Sequence, residues 1–300
     1  MKNGSIKTRF KGLICGILLV LPPATVAQAA SVVVVKSSDN TYYKKTIETL
    51  IRHTATSNVE VVMAEDLRRP ARSASLYVAL GQRAADAVTA AGEGVPVINA
   101  YLTLEQYHRL PDKRQLTVLL DQPLHRYLAF SKYTLQADSI GIIAETRILP
   151  NRSESDLLDR LGLVLNQYQV DPEHKLLPTL HRLLRHNDAL LMLPRQSIYN
   201  RDSLKGVLLT SYRDRKPVIS YSPAHVKSGA LASIYSSPVD IGRHLSLLVN
   251  NHLQGKPLRG PNFRFARFYS ISFNFRVARA LGVKLPGETE LRQYLDQVTP

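Results

Sequence analysis

The side chains in this 300-residue sequence best suited to chemistry are nine histidines, one cysteine and a few adjacent acids. Their spacing assembles no catalytic set. No histidine pair stands in the H-E-x-x-H arrangement that puts two imidazoles on one helix face for a metal. His181 and His186 lie five residues apart around Arg182-Leu183-Leu184-Arg185. That is too far round a helix for a shared face, so both read as surface. Glu65 and Asp66 adjoin in an expected loop. No G-x-S-x-G elbow and no phosphate-binding glycine loop occurs. Cys15 is the single cysteine, so the chain beyond it holds no disulfide, thiolate metal site or cysteine nucleophile. The expectation is a protein that binds rather than catalyses, with neither metal nor cofactor.

The residues suited to binding stand just past apolar runs. In an open parallel sheet, ligands sit beyond the carboxyl ends of the strands, next to helix N-termini. Those positions are Ser38 and Asp39 after the first run, Gln82 and Arg83 after the third, and Tyr101 after the fourth. Farther on they are Thr146, Arg195 with Gln196, and Tyr221. Backbone N–H groups near Ser38, Gln82 and Arg83 suit a carboxylate or similar anion. Tyr101 and Tyr221 offer faces for an apolar or aromatic body. Arg195 suits a paired contact with a carboxylate or phosphate.

These residues need a frame, and apolar runs alternating with helix-like segments supply one. Ser31–Lys36 is a β-branched run of the buried parallel kind. Asp39 or Asn40 caps a helix through His53, and 59–63 is the second strand. Strands at 76–80 and 95–100 and helices from Arg83 and after Thr103 follow, then a strand at 116–120. The pattern repeats with a helix over 123–135, a strand over 139–144 and a helix over 153–165 capped by Ser153. A helix over 175–185, a strand over 189–193, a helix over 203–212 and a strand over 217–220 come next. An extended 231–236, a long helix over 239–254, a strand over 268–274 and helices near 275–281 and 288–297 close the chain. About ten strand–helix repeats predict an α/β protein with parallel sheets covered on both faces, divided into two lobes.

The first 29 residues read as an export signal. Lys2, Lys7, Arg9 and Lys11 precede an apolar run from Leu13 to Leu21, and Ala27-Gln28-Ala29 is a small-x-small cleavage pattern. The run is well under the roughly 20 residues a spanning helix needs. Cys15 follows Ile14 early in that run, the wrong place for a lipid-modified cysteine, so the released chain is expected free in the periplasm. The signal holds four of the 39 Lys and Arg and none of the 24 Asp and Glu, which leaves an excess of 11 positive charges beyond it. Such a charge favours anionic partners. The cations are dispersed, with no nucleic-acid motif.

From Pro217 to Val283 the sequence resembles the periplasmic substrate-binding proteins of ABC transporters. The branch is the one with the type I periplasmic-binding fold, which includes aromatic amino-acid binding proteins. The resemblance rests on Gly229-Ala230-Leu231-Ala232-Ser233, Asp240-Ile241-Gly242-Arg243, Gly255-Lys256-Pro257 and Ala278-Arg279-Ala280-Leu281-Gly282, in that order. Weaker matches are Leu80-Gly81-Gln82-Arg83-Ala84-Ala85, Val95-Pro96-Val97-Ile98 and Ser139-Ile140-Gly141-Ile142-Ile143. The resemblance implies two lobes joined by crossing strands, 31–121 with 232–256 and 122–231 with 257–300, and a ligand in the cleft between them. It implies a monomer that captures a small, anionic or amino-acid-like solute for an inner-membrane permease. The alternative is a ligand-sensing or adaptor protein that docks on a membrane sensor or receptor without transport. One departure bears on the ligand. The family often carries P-x-D-N where this chain has Pro194-Arg195-Gln196-Ser197, and a small polar residue where it has Gln82. Both changes enlarge side chains expected to face the cleft.

Overall fold

A computed structural model describes residue 1 and residues 31–67, 74–91, 94–170, 175–258 and 261–299. The export signal lies outside the described residues. Among the described residues, no helix is long and apolar enough to cross a membrane.

The chain opens with β1 (Ser31–Lys36), α1 (Thr41–His53), β2 (Val59–Met63), β3 (Ala74–Leu80), α2 (Gln82–Ala91), β4 (Val97–Leu102), α3 (Leu104–Arg109) and β5 (Leu116–Leu119). It continues with α4 (Leu124–Leu135), β6 (Ser139–Ala144), α5 (Arg152–Leu161), β7 (Val164–Gln169), α6 (Leu176–His186), β8 (Ala189–Leu191), α7 (Arg201–Arg213), β9 (Val218–Ser220), α8 (Pro223–Ser228) and β10 (Ala232–Tyr235). It ends with α9 (Pro238–Leu253), β11 (Phe263–Phe265), β12 (Ser270–Phe273), α10 (Phe275–Leu281) and α11 (Glu288–Val298).

The strands form two six-stranded sheets, ordered β11-β5-β4-β3-β1-β2 and β12-β10-β9-β8-β6-β7. The first is parallel throughout. In the second only β12 runs antiparallel, against β10. This is the two-lobed α/β architecture read from the sequence. β1 sits between two partners, and Val32 to Val35 are fully buried. Each such valine contributes roughly 1.5–3 kcal/mol of burial free energy.

Two motif residues have local causes here. Ser237 caps α9, and Asp240 closes the capping box by accepting from the Ser237 backbone N–H at 2.9 Å. Gly242 lets α9 lie directly on α1. A Cβ there would meet the Thr46 carbonyl oxygen and Thr49 Cβ, both at 2.7 Å.

The structure departs from the sequence reading at several places. The helix expected over 153–165 ends at Leu161, because Gly162 takes a left-handed φ of 56° and closes it. Its cap is Asn151, in a capping box with Glu154, and not Ser153. Residues 164–169 are instead the edge strand β7. β4 begins at Val97 and runs on through Tyr101 to Leu102. The expected lobe division assigned 232–256 to the first lobe and 257–300 to the second. Strand β10 lies in the second sheet and β11 in the first, while α9 packs on α1. The chain therefore passes between sheets at 120–123, 236–237 and 266–269.

Those three crossings are tied together. Gln122 Nε2 donates to Ser236 Oγ at 2.7 Å, and Ser236 Oγ donates to the Phe268 carbonyl at 3.2 Å. Arg126, 8 % exposed, donates to Gln122 Oε1 at 2.7 Å and to the Ala266 carbonyl at 3.3 Å. Its guanidinium also lies 4.8 Å from the Tyr269 ring centroid.

Candidate functional site

Between the carboxyl edges of the two sheets lies a cavity of about 200 Å³. Leu104, the first residue of α3, and Phe265, the last of β11, form its first-lobe wall. Ile148, Leu193 and Arg195, beyond β6 and β8, form its second-lobe wall. Asp121, at the first crossing, closes it from the hinge side. Apolar walls with a few convergent polar groups are the usual make-up of a small-molecule site.

Asp121 is 6 % exposed, and its Oδ2 accepts from the Leu104 backbone N–H at 2.8 Å. Burial pushes its carboxyl up to about 6, against the opposing pull of the Leu104 hydrogen bond and the Arg195 charge. Beside it Tyr127 is buried, its hydroxyl held well above its ordinary range first by burial and then by the Asp121 charge. Tyr221 is half-buried and is pushed up to about 12 by the same two causes. Its ring meets His225 edge-on with centroids 4.8 Å apart. His225 Nδ1 shares a 2.6 Å hydrogen bond with Ser220 Oγ, and burial lowers the His225 pKa. All these phenols are neutral at physiological pH and present hydrogen-bonding groups rather than charge.

The strand ends of the first lobe form a second polar layer. Ser37 Oγ accepts from the Ala84 backbone N–H at 2.9 Å, so the end of β1 caps the start of α2. Gly81 makes this closeness possible. Its φ is +88°, and a Cβ would stand 2.8 Å from Ser37 Oγ and overlap the Tyr43 hydroxyl. Tyr101 has φ 63° at a register shift between Ala100 and Leu102. A left-handed tyrosine in a bulge is unusual backbone, and such bulges re-aim side chains. Here the ring is turned onto Tyr43, with centroids 5.0 Å apart and planes at 79°, and its hydroxyl lies 2.5 Å from Thr46 Oγ1. Burial pushes the Tyr101 hydroxyl up to about 12.

Of the residues singled out by sequence, the cavity takes in Arg195, and Tyr221 lies within electrostatic reach of the same Asp121. Arg195 Nη1 donates to the Pro194 carbonyl at 3.3 Å. The others have partners of their own. Ser38 Oγ accepts from Asn40 Nδ2 at 2.9 Å. Asp39 pairs with Lys36 at 2.7 Å and Lys44 at 3.0 Å, and those contacts lower its pKa. Gln82 turns along its helix to Asp86 at 2.9 Å, and Arg83 Nη2 donates to the Ser37 carbonyl at 2.5 Å. Thr146 and Gln196 are exposed, and their carbonyls accept from Gln167 and Asn200. Sequence reasoning missed Asp121 and Tyr127 as site residues. The strand-end rule reaches Asp121, just past β5, yet the strand–helix pattern marks that position only as a lobe boundary. Tyr127 lies inside α4 and carries no such signal.

No family model matches the sequence, and no curated protein matches it. Solved structures do match its shape. The "ABC domain" in complex with L-Trp from Streptococcus pneumonia is 17 % identical, with TM-score 0.54, covering 88 % of this chain and 98 % of its own. The ligand-free, open form of CD0873, a substrate binding protein with adhesive properties from Clostridium difficile, is 14 % identical. Its TM-score is 0.63, and the match covers 86 % of this chain and 97 % of that one. A conserved domain protein from Vibrio cholerae is 16 % identical, with TM-score 0.52, over 90 % and 99 % of the two chains. At this identity the likeness speaks for fold, and the chain has the two-lobed α/β fold of the substrate-binding proteins among these structures.

Proposed function

We propose that the protein is a periplasmic solute receptor, which holds a small amino-acid-like ligand between its lobes for an inner-membrane permease. The observation that carries this reading is the cavity between the two carboxyl edges, where Arg195 stands near the buried Asp121. Arg195 would take a ligand carboxylate as a charge-assisted pair. Asp121 would take an ammonium, and a bound cation would lower its pKa toward the ordinary carboxylate range. Leu104, Ile148, Leu193 and Phe265 would enclose an apolar side chain. A volume of about 200 Å³ favours a single small metabolite. Two of the matching structures are described as a substrate binding protein and as a complex with L-Trp, which supports the same reading.

The mechanism is population shift. A ligand that touches both lobes binds the closed form better and draws the hinge toward it. The hydrogen-bonded crossings at Gln122, Ser236 and Phe268 would carry that motion. No covalent step belongs to this reading, and the basic surface is a place for permease contact. The test is thermal unfolding of the purified protein against amino acids, small organic anions and sugars. A ligand at 100 times its dissociation constant adds about 2.7 kcal/mol. An amino acid or a close relative should raise the midpoint most. A panel that leaves the midpoint unmoved would refute the receptor reading, and a stabilising neutral sugar would refute the ligand class.

A further inference from the structure

A second concave surface lies on the outer face of the second lobe, away from the interlobe cavity. It is a groove of about 750 Å³ between α7, the end of α8 and the start of α10. Arg201, Lys205, Leu208, Leu209 and Tyr212 line it from α7. Their spacing of i, i+4, i+7, i+8 and i+11 is one continuous stripe of a helix. The stripe is about 16 Å long at 1.5 Å per residue. Leu209 and Tyr212 are 43 % and 47 % exposed, so the stripe is apolar and uncovered towards its C-terminal end, with Leu208 buried beneath. Arg276 faces it from α10. No carboxylate lines the groove, and among the described residues none of Arg201, Lys205 and Arg276 has an ion-pair or hydrogen-bond partner.

From this arrangement we infer that the groove is a docking site for an acidic amphipathic helix of a partner protein. An uncovered helical stripe flanked by a second helix accepts another helix, whose own apolar residues at i, i+3, i+4 and i+7 fill the groove. Arg201 and Lys205 stand on that stripe and Arg276 faces it from α10, and together these three unpaired cations set the sign of the partner's charged positions. The same charge argues against occupants from this chain. Residues 2–30 carry four cations and no acid, and a second copy would bring the same cations face to face. A membrane surface is flat, whereas this surface is concave.

The test is fluorescence anisotropy with the purified full chain and a labelled peptide of about 18 residues, long enough to form helix on binding. The peptide carries leucines on one face and glutamates on both flanks. Matched peptides replace glutamate by lysine, or leucine by serine. The glutamate–leucine peptide should bind saturably and weaken with salt, and both matched peptides should bind at least tenfold more weakly. Leu209→Ser and Arg276→Glu change exposed side chains, so each should keep the parent thermal midpoint and lose at least tenfold in affinity. The inference is overturned if the lysine peptide binds equally, or if both variants bind like the parent. It is also overturned if phosphatidylglycerol vesicles bind with that variant sensitivity while the peptide does not. Sedimentation showing a dimer that Arg276→Glu dissociates would overturn it too, in favour of self-association.

Discussion

Replacing Asp121 by asparagine should change the pH dependence of stability in a calculable way. The carboxyl has an ordinary value of 3.8 and is raised to about 6 in the folded chain. The folded state therefore holds its proton more tightly than the unfolded state does. Stability from this group is complete below pH 3.8 and is lost as pH rises through 6. A tenfold difference in proton affinity between the two states is worth about 1.4 kcal/mol. Integrated between pH 4.5 and 7.5, the raised value corresponds to a loss of about 2 kcal/mol. Asparagine keeps a carbonyl for the Leu104 N–H and carries no titrating group. Urea unfolding of parent and Asp121→Asn across that range should show the variant gaining about 2 kcal/mol on the parent as pH rises. Taking the difference between the two proteins cancels the other carboxylates. A difference that stays flat with pH, or that moves in favour of the parent, would refute the assignment of a buried, raised Asp121.

Two further substitutions probe the frame of the site. Gly81→Ala places a side chain at φ +88° against Ser37 and Tyr43, and should cost about 2 kcal/mol or more in urea unfolding. A loss under half of that would mean the strand-end layer is not tightly packed. Gly242→Ala forces α9 away from α1, where a backbone carbonyl stands only 2.7 Å from the new methyl. Overpacking of this kind should cost about 1–3 kcal/mol. An unchanged thermal midpoint would contradict the close approach of the two helices.

Much of the frame is legible in the sequence because its strands are central. β1, a run of four valines between two partners, declares itself by composition, as does the SIGIIA run of β6. Edge strands do not. β7 (VLNQYQ) is polar and half-exposed, and β11 (FRF) has only three residues, so neither carries the apolar run that marks a buried strand. The glycine that ends α5 stands in the sequence, yet the hydrophobic run beyond it, Leu163-Val164-Leu165, extends the helical pattern past the true end. At the site, the strand-end rule reaches Arg195 because position along the chain is enough to apply it. It does not tell which polar side chains are taken up locally. Asp39 has lysines three residues before it and five after, and Gln82 has Asp86 one helical turn away. Short-range partners such as these withdraw a residue from ligand contact. Asp121 and Arg195 line one cavity from separate parts of the chain, and nothing in local sequence reports that they meet there.

The central claim is that a small solute is held between the lobes by Arg195. The most direct measurement is isothermal titration calorimetry of the compound that most raises the thermal midpoint, with parent and Arg195→Ala in parallel. The chain has no tryptophan to report binding by fluorescence, so heat is the better signal. Loss of a charge-assisted contact worth about 1.5–3 kcal/mol should weaken binding by about 10- to 150-fold, with the fold intact. Equal affinity for parent and variant would contradict the account.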